Sequence, residues 1–532
     1  MQTDLRRPIS RPGFRSRTTA ALLAAFALAT LGLGHATAQD SAPLVTIDSG
    51  SLEGVAPDKA EQFLGIPYAA PPIKDLRFNP PQPAIAWTGT VAADDLPPAC
   101  LQFEPHGALE GQAASEDCLY LSLYRPLGAT ASDTRPVMVY FHGGAWTQGT
   151  SANYGGASLV AETGVIEISI NYRLGALGYL AHPGLSAETP MGSGNYGTMD
   201  QIAALEWVKR NVAAFGGDPD NVTIFGQSAG AGSVCALLAA PSAAGLFHRA
   251  ILHSLPCGWV STDLETAEPS GVAFAEAVGC PAGPDQVACL RGVWAGTLIA
   301  HQADYTGGIK VGGNLIPVAP EAAIASGEWN QVPMMVGATR SEFKLIAMLL
   351  MPELYDVTAE TYPDMVGKVY PDRADEVLEL YPLAHYNSPY EAITQAMGDE
   401  AFVCGTGATV AKLAEWVPTY QYEFDDRTSP GLYGFDGPPG ADMSNGHSAD
   451  LQYLFDYDLG AADLDATQEK LATQMMHYWA AFAAKGDPNF DGGPAWPLWT
   501  DNQQVLSLRA GGESTPITSF AADHECDFWS GN

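Results

Sequence analysis

Val222–Gly230, VTIFGQSAG, is the stretch whose reading decides the fold. Val222, Thr223, Ile224 and Phe225 favour extended backbone and run into Gly226-Gln227-Ser228-Ala229-Gly230; small and apolar residues then continue at helical spacing through Ala236, Leu237 and Leu238. A strand that turns into a helix through Gly-x-Ser-x-Gly is a nucleophile elbow. The flanking glycines let backbone and helix crowd together, so the serine sits on a sharp, strained turn with its hydroxyl exposed. The pentapeptide alone is weak evidence, and the strand before it and the helix after it give it weight. Ser228 is the candidate nucleophile.

Outward from the elbow, strands and helices alternate. Arg135–Phe141, RPVMVYF, reads as a buried strand running into His142-Gly143-Gly144-Ala145-Trp146. Val165–Ile170, Val332–Val336 and Thr419–Phe424 read as further strands. Asp200–Phe215 places Ile202, Leu205, Val208 and Val212 at a helical period and ends at Gly216-Gly217, and Gln468–Ala484 is a second helical pattern. Val45–Gly54 reads as an N-terminal hairpin, and Gln62–Ala69 as an extended entry into the domain. This alternation implies an α/β chain with a large, mostly parallel sheet covered on both faces, whose sites lie at the carboxyl ends of the strands.

A serine hydroxyl attacks only when a base takes its proton, so the elbow requires a histidine and a group to orient it. Behind an elbow serine, the acid comes next in the chain and the histidine last. His385, His447, His477 and His524 satisfy that order. His477 falls inside the helical pattern, His524 sits in the tail beside Cys526, and no strand precedes His385. His447 lies in a Gly- and Asn-rich loop, GADMSNGHSAD, beyond the strand Thr419–Phe424, where a catalytic histidine belongs. The acid expected on the same logic is Glu342, in the loop Gly337-Ala338-Thr339-Arg340-Ser341-Glu342 after Val332–Val336. Backbone N–H groups of Gly143, Gly144 and Ala229 are the expected donors to a tetrahedral oxyanion.

The 532 residues, 46% apolar and 16% charged, suffice for a large core, and no internal repeat or low-complexity linker divides them. A net charge of −35 repels nucleic acid and anionic membrane surfaces. Residues 1–38 read as a leader outside the fold: Arg6, Arg7, Arg11, Arg15 and Arg17 precede the apolar run Ala20–Leu33, which ends at Ala36-Thr37-Ala38. The run is short for a membrane span and no cysteine follows it to carry a lipid. Export to the periplasm or the medium is the expectation. Eight cysteines in such a chain read as disulfides rather than metal ligands, because none forms a CxxC pair and no His/Cys cluster has zinc spacing. Cys100 with Cys118 would close one loop and Cys280 with Cys289 another, whereas spacing does not settle Cys235, Cys257, Cys404 and Cys526.

Glu61–Pro80, EQFLGIPYAAPPIKDLRFNP, with Trp87, Ser115–Leu121, SEDCLYL, and the run from Asn195 to Gly230 together resemble the type-B carboxylesterases, the group that includes cholinesterases and bile-salt-activated lipases. The resemblance extends from about Val45 to Trp529. It implies an α/β-hydrolase fold in one large domain over 39–532 with loop and cap insertions, a serine carboxylester hydrolase activity without cofactor or metal, and a small-molecule ester as partner. It also implies Ser228, Glu342 and His447 as the catalytic triad, with Asp450-Leu451-Gln452-Tyr453-Leu454-Phe455 following the histidine. Disulfides Cys100–Cys118, Cys280–Cys289 and Cys404–Cys526 are implied too, leaving Cys235 and Cys257 free or paired with each other. Arg77–Glu116 and Arg173–Asp200 match structural ion pairs of the family.

Two departures narrow the substrate. Where the family usually has Glu before the nucleophile, this chain has Gln227, which removes a negative charge. The loop Leu101–Asp117 holds no Trp or Tyr, the face on which cholinesterases stack an ammonium. Neutral esters are the expectation, with a lipase or a specialised detoxifying esterase as the alternatives. A non-catalytic adhesion protein of the same fold is disfavoured because the triad residues are present. Trp146 and Gln227 are the pocket candidates, and Met348–Tyr355 and Tyr381–Tyr390 could cover the site, although ordinary surface segments would look the same.

Overall fold

The elbow strand is the sixth of ten in a mixed sheet. In this computed structural model, residues 42–103, 111–305, 307–432, 437–457 and 462–531 are described. The expected leader and part of the Leu101–Asp117 loop lie outside them. The sheet strands, in chain order, are β1 (Glu61–Pro67), β2 (Tyr120–Arg125), β3 (Arg135–Phe141), β4 (Ile166–Ile170), β5 (Gly217–Gln227), β6 (Arg249–His253), β7 (Met334–Thr339), β8 (Thr419–Phe424), β9 (Val505–Leu508) and β10 (Thr515–Ile517). Across the sheet they run β10-β9-β8-β7-β6-β5-β3-β4-β2-β1. From β9 to β4 every neighbouring pair is parallel, and the antiparallel pairs sit at the two edges. The inner strands are buried on both faces, which is why RPVMVYF and its counterparts read as continuous apolar runs rather than alternating ones.

Alternation still assigns each face. Val137, Val139 and Phe141 of β3 enter one core cluster, Met138 and Tyr140 the other. The first core takes helices α1 (Tyr196–Asn211) and α2 (Ala229–Ala239); the second takes α4 (Ala466–Lys485), while α3 (Phe343–Leu350) leads out of β7. Asp465 starts α4 with a capping box to Gln468, and Gly486 stops it at φ 75°. The longest helix among the described residues is not apolar enough to cross a membrane.

Several boundaries differ from the sequence reading, and three of the differences have a packing reason. Helix α1 starts at Tyr196 rather than Asp200, because Gly197 is not a breaker there: a Cβ on it would lie 2.5 Å from the Arg173 carbonyl oxygen. Strand β7 extends through Gly337-Ala338-Thr339, which read as loop; Gly337 leaves room for the Tyr422 ring, 2.2 Å from where a Cβ would stand. Strand β5 begins at Gly217 and crosses a register break before Val222, so its polar first half carried no strand signal. The N-terminal hairpin pairs Leu44–Ile47 with Gly50–Glu53 and gains Thr90–Ala92 as a third strand.

Covalent and ionic ties reinforce the core and its edges. Sulfur bridges join Cys100 to Cys118, Cys235 to Cys257, Cys280 to Cys289 and Cys404 to Cys526. Arg77 meets Glu116 and Arg173 meets Asp200, each at 2.7 Å and largely buried. The tail carries a fully buried His524 between Asp399, 2.5 Å from Nδ1, and Glu423, 2.6 Å from Nε2. Burial alone would lower its basicity, but the two carboxylates prevail and push its pKa up to about 10. Its stabilising contribution is therefore complete below the unfolded value near 6.5 and is lost as pH rises through about 10. His524→Gln is expected to cost about 3–5 kcal/mol near neutral pH, by leaving buried Asp399 without its cation and Glu423 with Arg340 alone. The cost should shrink towards pH 10, which calorimetric unfolding at pH 7 and pH 10 would measure.

Candidate active site

Ser228 follows β5 directly and caps α2, with φ 56° and ψ −124°. A non-glycine residue in that region is strained, and here the strain is imposed from both sides. Ser228 N–H donates to the His253 carbonyl at 2.9 Å. A Cβ on Gly226 would stand 2.5 Å from the Gly230 backbone, and one on Gly230 only 1.9 Å from the Phe141 carbonyl oxygen. No side chain fits at either glycine, so the spacing of the pentapeptide is a packing requirement of the turn.

The sequence-predicted acid and base meet. Glu342, fully buried, lies just past the end of β7, and its Oε1 accepts from Thr339 N–H at 2.7 Å. Its Oε2 is 2.5 Å from His447 Nδ1. The two loops are also tied through their backbones, with Ser341 N–H donating to the Asn445 carbonyl and a bridge between Ser341 and Gly446. A carboxylate accepts only, so in the neutral imidazole the proton sits on Nδ1 and Nε2 presents a lone pair. Phe402 packs on the ring at a centroid distance of 5.2 Å. Of the other histidines, His477 pairs with Glu162 at the surface, His385 is exposed, and His524 is held in the buried clamp of the tail.

The loop after β3 supplies the third component. Gly144 takes φ 107°, and its carbonyl accepts from Thr147 and Gln148 N–H, both at 3.0 Å, closing a tight turn. Gln102 clamps the far end, accepting from Gly149 N–H and donating to its carbonyl, both at 2.9 Å. His142 donates from Nδ1 to the Gly143 carbonyl at 2.8 Å and stacks on Tyr172, whose hydroxyl donates back to the His142 carbonyl. Burial lowers His142 to about 4 against the opposing pull of the Gly143 carbonyl, so the ring is neutral near pH 7. Among the described residues, the N–H groups of Gly143, Gly144 and Ala229 are not bonded to another backbone carbonyl, and all three residues border the same cavity as Ser228.

That cavity, about 360 Å³, is lined by Ser228, Gln227 and His447. Its walls are apolar: Trp146, Leu255 and Phe402, then Phe343, Ile346, Leu349 and Leu350 from α3. Asp, Glu, Lys and Arg are absent from the described lining. Trp146 stands in the wall, its ring against Gly232 and its Nε1 donating to Ser233 Oγ at 3.1 Å. Of the two covering segments considered from the sequence, Met348–Tyr355 borders the cavity through Leu349 and Leu350, whereas Tyr381 and Tyr390 do not line it and are buried in a cluster packed behind α3. The sequence reading missed Leu255, Trp259, Phe343, Ile346 and Phe402. The available signal was α3 itself, apolar except for Lys344 and directly after Glu342.

A ten-stranded, mostly parallel sheet with a strained serine turn at the carboxyl end of a central strand defines an α/β-hydrolase. Comparison with known sequences agrees: the carboxylesterase family matches residues 41–529. Human cocaine esterase is 32% identical, covering 97% of this chain and 95% of its own length. Fumonisin B1 esterase of Sphingopyxis macrogoltabida is 34% identical over 93% and 91%, and pig liver carboxylesterase 32% identical over 90% of each. The chain belongs to the carboxylesterase family and is a carboxylic ester hydrolase.

Proposed function

We propose that this enzyme is an exported serine esterase in which Ser228, His447 and Glu342 hydrolyse neutral carboxylic esters through an acyl-enzyme. The observation that carries the assignment is His447, bound by Glu342 through Nδ1 while its Nε2 faces the elbow in the cavity. Ser228 Oγ adds to the ester carbonyl carbon as its proton passes to His447 Nε2. The N–H groups of Gly143, Gly144 and Ala229 receive the oxyanion. The carbon–oxygen bond to the alcohol breaks, and His447 returns the proton to the departing oxygen. Water then adds to the acyl carbon with His447 again taking a proton, and the acid leaves as Ser228 regains its hydrogen. Glu342 holds the imidazole in the required tautomer throughout.

The described lining, which holds no Asp, Glu, Lys or Arg, and Gln227 support neutral substrates. The leader pattern and the four disulfides support export and a single domain over 39–532. A second reading, a lipase or an esterase for bulky natural esters, draws on the mouth: Trp259, Leu349 and Leu350 are 48%, 43% and 74% exposed there. The names of the cocaine and fumonisin B1 esterases point towards large esters as well. A panel of alkyl and aryl esters, varied in acyl length and alcohol size and including matched choline and 3,3-dimethylbutyl esters, tests these readings. The expected result is a kcat/KM at least about tenfold higher for the neutral ester than for its choline counterpart. A preference for choline would sink the neutral-ester reading, and turnover that rises only above the solubility limit of long-chain esters would favour the lipase.

A further inference from the structure

Gln227, 2% exposed, ends β5 and faces the cavity beside Ser228. Its Nε2 lies 3.0 Å from His447 Nε2. Because His447 Nδ1–H is directed to Glu342, the lone pair at Nε2 accepts from the Gln227 amide. The other end of the amide is turned to the oxyanion loop: a Cβ on Gly143 would stand 2.9 Å from Gln227 Oε1. Among the described residues, no hydrogen bond links Ser228 Oγ to His447. The lone pair assigned to the serine proton is occupied by an amide hydrogen.

We propose that Gln227 is a positioning residue that caps the base nitrogen of His447 in the resting enzyme and sets the acid limit of hydrolysis. The proposal rests on His447 being the general base. An amide N–H donating to Nε2 favours the unprotonated ring. Once Nε2 carries a proton, two donors face each other across the same gap, and the amide must turn or withdraw. Glutamate, which the family resemblance leads one to expect here, has no hydrogen to donate and would attract the charged ring instead. Gln227 thus keeps the base available at lower pH than glutamate would. An entering ester releases the cap, because the Ser228 hydroxyl must take over that nitrogen as attack begins.

Other ionisable groups surround His447, and the substitutions below leave them all in place. Glu342 contacts the ring from the β7 loop, and Lys344 of α3 reaches the Ser444 carbonyl in the histidine's own loop. On that loop Asp442 caps Ser444, and Asp450 is bound beneath the sheet end by His253 and Tyr422. In the turn that carries Phe402, Asp399 is bound by His524 and Tyr381, and Glu400 is exposed.

The test is the pH profile of kcat/KM, and of Ser228 labelling by a fluorophosphonate, for wild type, Gln227→Glu and Gln227→Met. The acid limb is expected to move up by about one unit or more in Gln227→Glu, as for a carboxylate placed against an imidazole. In Gln227→Met it should move up by roughly half a unit to one unit, the size of one lost hydrogen bond. Each profile is scaled to its own alkaline plateau, so the readout is the position of the acid limb and not the rate. A Gln227→Met profile superimposed on wild type, with Ser228 still labelled, overturns the capping role alone. If Gln227→Met does not fold, the nearly isosteric Gln227→Glu decides, an unmoved limb overturning the proposal. Labelling of the wild type at a residue other than Ser228 overturns both the proposal and the assignment beneath it.

Discussion

Ser228→Ala is expected to lower kcat by about 10⁵-fold or more and to abolish fluorophosphonate labelling, with the cavity and the fold intact. The expectation follows from the division of labour proposed for the site. The oxyanion donors and the apolar walls are backbone and neighbours, so an alanine leaves them in place and removes only the oxygen that forms the acyl bond. Alanine at φ 56° is as strained as serine, so thermal stability should change little. Peptide mapping of the labelled wild type, set beside ester turnover by the variant, checks both halves. Turnover retained within tenfold would remove Ser228 as the nucleophile.

Glu342→Gln should cost about 10⁴-fold in kcat, the size expected when the imidazole is held in the wrong tautomer. The two oxygens of Glu342 accept from two donors, Thr339 N–H and His447 Nδ1–H. A glutamine can present its oxygen to only one. With the oxygen towards Thr339, the NH₂ faces Nδ1 and drives the imidazole proton to Nε2, where it blocks uptake from the serine. With the oxygen towards His447, the NH₂ meets the Thr339 N–H and leaves buried donors unpaired. Either arrangement is penalised. A rate within tenfold of wild type, from a folded variant by circular dichroism, would move the orienting role to another residue.

Much of this site is legible in the sequence because its parts are local. The elbow is a contiguous packing solution, so Gly226, Ser228 and Gly230 announce it in five residues. Strands buried on both faces, such as β3 and β8, are uniform apolar runs with sharp ends, and Arg135–Phe141 and Thr419–Phe424 were located to the residue. Glu342 and His447 could be placed because each follows a readable strand. What stayed hidden depends on packing between distant segments. Gly197 and Gly337 look like breakers until the Arg173 carbonyl and the Tyr422 ring are seen to need the missing Cβ. The cavity walls come from separate stretches around residues 146, 255, 343–350 and 402, and nothing in their spacing says that they converge. The contact between Gln227 and His447 spans 220 residues and is visible only in three dimensions.

The bridge between Cys235 and Cys257 has a consequence for how the enzyme can be made. Cys235 lies on α2, two turns beyond the candidate nucleophile; Cys257 lies on the turn between Leu255 and Trp259, both at the cavity. Both cysteines are inaccessible to solvent in the folded molecule. Dissolved thiols or oxidants therefore reach this pair only while the chain is open, and the bond is set during folding rather than adjusted afterwards. The bond is a fixture of maturation and not a redox sensor. A chain folded in a reducing cytoplasm would close its core over two thiols, with the elbow helix and the opposite cavity wall held to each other by packing alone.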